Sequence, residues 1–114
     1  MPQSPYLPIS QGVSGVTGGG AKTTLNVTAA AVIKATPGRI VRINCNGTIG
    51  TGGTLVINDC ITTGAATAAN QIISIPFGTL VVGTSILIDF PALTGITVSA
   101  VPTGGSPSFA ISWA

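Results

Sequence analysis

The sequence has no histidine and no glutamate, and its 114 residues carry only six formal charges: Lys22, Lys34, Arg39, Arg42, Asp59 and Asp89. General acid–base chemistry needs a proton donor and an acceptor within hydrogen-bond reach, and histidine or paired carboxylates usually supply them. With two aspartates 30 positions apart as the whole stock of acids, the expectation is no enzyme and no catalytic residue. Two cysteines without histidine leave no ligand set for zinc, and two acids fall short of the oxygens that calcium gathers. Four basic residues that are not clustered give no nucleic-acid footprint. No apolar run approaches the roughly 18 residues needed to span a bilayer, so no membrane role is expected. No metal or cofactor is called for.

What fills the chain instead is 16 Thr, 14 Ile, 10 Val, 16 Gly and 8 Pro, a vocabulary of strands and tight turns. A mean hydropathy of +0.66 with 5% charged residues lies far from the composition of disordered chains. A soluble surface is ordinarily about a quarter charged, so a chain this poor in charge suits a protein that hides surface in an oligomer or on a larger assembly. Met1–Pro5 shows neither the basic nor the apolar region of a signal peptide, which points to cytosolic synthesis and reduced thiols. Cys45 and Cys60 are accordingly expected as free, buried groups. The sequons at Asn26 and Asn46 read as chance matches in a threonine-rich chain.

Residues 1–20 differ from the rest. They contain Pro2, Pro5 and Pro8, then Gly12, Gly15 and the run Gly18-Gly19-Gly20, and no charge. Such a composition packs no core. It reads either as a frayed end or as an arm that orders against a partner. Tyr6, Leu7, Ile9, Val13 and Val16 are more apolar than a spacer requires and become candidate contacts with a partner or another subunit, together with Trp113. Fully extended, the arm spans on the order of 65 Å.

Residues 21–114 read as one domain of about eight short strands separated by turn signals. Leu25 and Val27 share a face of the first strand. Ala29–Ala35 is ambiguous between a helical turn and a strand, with Val32, Ile33 and the Thr36-Pro37-Gly38 turn favouring the strand. In Arg39–Cys45, Val41, Ile43 and Cys45 line one face and Ile40, Arg42 and Asn44 the other, so that Arg39 and Arg42 lie on opposite faces. Gly50–Gly53 extends a loop that opens at Asn46-Gly47. Thr54–Asn58 and Gln71–Ile75 are strands, flanking a small-residue loop at 62–70. Thr79–Val82 and Ser85–Phe90 form one strand broken at Gly83, or two, with Ile86, Ile88 and Phe90 aligned. Ile96–Ser99 alternates, residues 102–107 connect, and Phe109, Ile111 and Trp113 share a face. The expected core is Val41, Ile43, Ile57, Ile73, Ile86, Ile88, Val98, Phe109 and Ile111 in a single β-sandwich.

Gly18–Thr24 superficially resembles a phosphate loop, but Ala21 separates glycine from lysine and a strand follows where a helix is required. Asp59 and Asp89 are expected to cap turns or to pair with Arg39 or Arg42 across strands. No serine has a base arranged beside it, and Trp113 is expected to plug a core or subunit contact.

The stretch Leu25–Ile43, containing Thr36-Pro37-Gly38-Arg39, with Asn58-Asp59-Cys60 and Ala68–Ile72 after it, resembles small virion proteins of tailed bacteriophages: decoration, cement or head-fibre proteins. The resemblance covers residues 25 to about 100 and is one of strand-turn pattern. It implies a jelly-roll-like β-sandwich, usually a homotrimer, bound to the major capsid protein on the outside of the head. The alternative is a fibre or receptor-binding module that adheres to bacterial surface glycans, which favours exposed Trp and Tyr platforms.

Overall fold

A computed structural model describes residues 21–114. Among them ten strands form, and no α-helix: β1 (Lys22–Val27), β2 (Ala31–Lys34), β3 (Gly38–Cys45), β4 (Ile49–Gly52), β5 (Thr54–Asn58), β6 (Gln71–Pro76), β7 (Ser85–Ala92), β8 (Ile96–Ala100), β9 (Thr103–Gly105) and β10 (Phe109–Trp113). Short 3-10 turns occupy Thr63–Ala65, Ala68–Asn70 and Phe77–Thr79. The protein is all-β. One four-stranded sheet has the order β1-β10-β3-β7, another β2-β8-β5-β6, and β4 pairs with β9 as a small ribbon.

Every pairing is antiparallel. Leaving the β4–β9 ribbon aside, eight strands remain and their pairing is nested. β1 pairs with β10, β2 with β8, β3 with β7 and β5 with β6, as in a long hairpin wound up on itself. Apart from the β5–β6 hairpin, consecutive strands therefore alternate between the two sheets, and the inner faces of the sheets meet in one core. Ile40, Ile43, Phe109 and Ile111 come from the first sheet and Leu55, Ile57, Ile96 and Val98 from the second, each essentially without solvent exposure. Each such side chain contributes roughly 1.5–3 kcal/mol on burial. Cys45 and Cys60 are buried and unbridged.

β-Bulges decide which apolar residues reach the core, and they overturn several expected faces. In β1 the register to β10 shifts between Thr24 and Val27, at Asn26 with φ 56°. A left-handed residue breaks the two-residue alternation. Val27 is buried while Leu25, expected beside it, is 70% exposed. In β3 the shift between Ile40 and Arg42 sends Ile40 inward and leaves Val41 half-buried, the reverse of the sequence expectation. It also leaves Arg39 and Arg42 both exposed on the outer side of the sheet, not on opposite faces. In β7, Asp89 has φ 46° and turns Phe90 out to solvent, away from the half-buried Ile86 and Ile88.

Two other assignments change. Residues expected as loops at Gly50–Gly53 and 102–107 contribute β4 and β9. Thr79–Val82 is no strand, because the Phe77–Thr79 turn and the following bend carry the chain from β6 to β7.

Candidate interaction surfaces

The connections between the eight nested strands alternate between the two ends of the sandwich. At the end where β1 begins, the proximal end, they are 35–37, 59–70 and 93–95; at the distal end they are 28–30, 46–53, 77–84 and 101–108. No distal connection contains an ionisable residue. Lys22, Lys34, Arg39 and Asp59 stand at the proximal end, and Arg42 and Asp89 lie within β3 and β7. The molecule is therefore polar along its strands, charged at one end and neutral at the other.

Two of the proximal charges, Arg39 and Asp59, are tied up locally. The Arg39 guanidinium donates to Asp89 Oδ1 at 3.0 Å and to the Asp89 carbonyl at 3.1 Å. The pair is exposed, so its contribution is about 0–1 kcal/mol. Asp59 follows β5 and accepts from the Leu93, Thr94 and Gly95 backbone amides and from the Thr94 hydroxyl, at 2.7–3.2 Å. Desolvation pushes its carboxyl up, but these four bonds together outweigh that and hold it at about 2. Both aspartates thus take the turn-capping and cross-strand roles expected of them.

Trp113 closes the proximal end. It pairs with Lys22 in the β1–β10 ladder, packs half-buried against the core, and donates from Nε1 to Thr24 Oγ1 at 2.9 Å. The Lys34 ammonium lies 5.6 Å from its ring centroid. Beside it, Ala114 exchanges two backbone bonds with Arg39, and Gly38 leaves the room for this: a Cβ there would overlap the Ala114 carbonyl oxygen. Trp113 is thus a structural closure, its ring packed against the core and beside Lys34 and its N–H engaged. The other expected contact residues, Tyr6, Leu7, Ile9, Val13 and Val16, lie outside the described residues.

The distal end is built differently. A groove of about 380 Å³ runs between β4 and the 77–82 segment, lined by Ile49, Gly50, Phe77, Gly78, Val81 and Val82 among others. Val81 is 63% and Val82 57% exposed, while Leu80 between Phe77 and this pair is fully buried and anchors the segment. Backbone bonds fix it further: Phe77 N to Gly53 O, Leu80 N to Phe77 O, Thr84 N to Val81 O, and a reciprocal pair between the Cys45 and Gly83–Thr84 backbones, at 2.8–3.1 Å. Gly50, one of the lining residues, packs against the Gly104 backbone, where no side chain fits. The strand expected over Thr79–Val82 does not form because turn residues on both sides, Pro76 to Gly78 and Gly83, leave too short an apolar run.

A second cleft of about 390 Å³ lies on the outer side of the β2-β8-β5-β6 sheet, against the 59–70 connection. Its most buried polar residue is Asn58, which donates to Thr67 O at 2.9 Å and Asn70 Oδ1 at 2.8 Å and accepts from Ser99 Oγ at 2.6 Å. Thr97, also buried, donates to Cys60 O. These groups are satisfied internally and brace the connection over the sheet. Among the described residues no cluster of three or more His, Cys, Asp or Glu stands where it could hold a metal, and no helix is long and apolar enough to cross a membrane. Comparison with protein-family models, curated proteins and solved structures finds no match to this chain.

Proposed function

We propose that the chain is a structural virion protein, a decoration or cement protein that binds the major capsid protein on the outside of a phage head as an oligomer, most simply a homotrimer. The observation that carries this reading is the chemical polarity of the sandwich. A protein that must hold both a shell and its own copies needs two unlike surfaces on a rigid body, and here one end is charged while the other is neutral and apolar. The strand-turn resemblance to phage virion proteins supports it. We read the nested strand order as that of a jelly roll, the architecture the resemblance implies. Binding energy available only on the assembled shell stabilises the shell by mass action, and an oligomer adds weak contacts through effective concentration. The glycan-adhesion alternative needs free aromatic platforms, and Trp113 is engaged by Thr24 and Lys34.

The test is co-sedimentation of the purified protein with heads of the phage that encodes it, prepared without the protein. Saturable binding at a fixed ratio to capsid subunits is expected, together with heads that resist heat better. Protein that stays in the supernatant at micromolar concentration overturns the reading.

A further inference from the structure

We infer that the distal end is where copies of this chain meet, the Val81-Val82 ridge of one subunit seating in the groove of the next. The inference rests on the oligomer in the reading above and is independent of the capsid.

Three features select a second copy as the occupant. A surface that binds itself must carry both a projection and a recess, and this end has both on one pinned segment. Val81 and Val82 project, and beside them Phe77, Gly78, Ile49 and Gly50 line a recess, where Gly78 faces open space and puts no side chain in the way. The contact must also avoid bringing like charges together. Each copy has a net charge of +2, and the distal connections contribute none of it. Gathered by their distal ends, the subunits keep their proximal charges away from the contact by roughly the length of an eight-residue strand, about 26 Å. That is several times the screening length of about 8 Å at physiological salt. Finally, the patch is rigid before contact, so little conformational entropy is lost on association. A ridge seated in the next subunit's recess is a head-to-tail contact, and a trimer is the ring that closes after three such contacts.

The test is molar mass by light scattering, from micromolar to tens of micromolar, on the full chain. The wild type is expected to be an oligomer, with its mass unchanged or favoured in 1 M NaCl because no ion pair holds it. Val82→Asp should raise the dissociation constant at least tenfold, and Val82→Ala, which trims the ridge without adding charge, should raise it less. Leu25→Asp, at an apolar position as exposed but on β1, should leave the mass alone. Far-UV spectra of all three should match the wild type; should Val82→Asp misfold, Val82→Ala alone decides. A monomeric wild type overturns both this inference and the oligomer in the proposed function. An oligomer that Val82→Asp and Val82→Ala leave intact overturns this inference alone. So does a Val82→Asp protein that keeps its mass but no longer binds phage heads, since the ridge then belongs to the capsid contact.

Discussion

Asp59 shows how much a single residue does in a chain with two acids. Its carboxylate gathers three backbone amides and a hydroxyl of the 93–95 turn, and so ties the end of β5 to the β7–β8 connection. Replacing it with alanine should cost about 1–2 kcal/mol, the usual range for losing a charged cap. The effect carries a pH signature with a definite sign. The folded carboxyl sits at about 2, below its unfolded value near 3.9. Its contribution is therefore present in full above about pH 4 and is lost as the pH falls toward 2. Urea midpoints of wild type and Asp59→Ala should differ at pH 6 and converge by pH 2. A gap that stays constant down to pH 2 would show that the carboxylate's charge does not stabilise the turn. At this scale the sequence was legible, since isolated aspartates in a β-rich chain have few other uses.

At the scale of elements, bulges govern what can be read from sequence. Seven of the eight nested strands were legible as apolar runs between turn residues, because two-residue periodicity is written directly into side-chain order; β2 lay in the ambiguous Ala29–Ala35 stretch, where only Val32, Ile33 and the turn after them favoured a strand. The faces were legible only until a bulge reversed them. Ile40 and Val41 exchanged roles, and Leu25 and Phe90 turned outward, because nothing in the alternation marks where an extra residue enters a ladder. The β4–β9 ribbon was invisible for a different reason: its glycine-rich strands carry no periodic pattern and are defined by close backbone approach at Gly50 and Gly104. The bulge in β1 yields a prediction. Asn26 tolerates its left-handed conformation and accepts a bond from Ser108 Oγ at 3.1 Å. Asn26→Val should cost about 2 kcal/mol, since left-handed backbone is unfavourable for a branched residue by about 1–2 kcal/mol. Asn26→Gly should stay within about 1 kcal/mol of wild type, glycine adopting that conformation freely. If valine and glycine prove equal in urea denaturation, the left-handed residue is not what sets the position of Val27.

For the whole molecule, the governing fact is that one sandwich presents two unlike ends, and the chain leading into β1 enters at the charged one. The pairing of β1 with β10 begins at Lys22, and the described core begins at Val27. Residues 1–20 precede both. Their sequence is uncharged and rich in proline and glycine, with Tyr6, Leu7 and Ile9 as apolar groups fit for a partner's surface. Deleting residues 1–20 should therefore keep the β spectrum and hold the thermal midpoint within about 5 °C, the shift that ~1 kcal/mol makes in a domain of this size. Because the subunit contact is placed at the opposite end, the truncated protein should also keep its oligomeric mass. Its binding to phage heads should weaken, since an extended segment adds many small contacts when it orders against a partner. A truncated protein that cannot fold would move the domain boundary upstream of Ala21. One that falls to monomers would make the arm a clasp between subunits. One that binds heads as tightly as the full chain would leave capsid attachment to the sandwich alone, and the exposed Lys22 and Arg42 would then be the charges to mutate next.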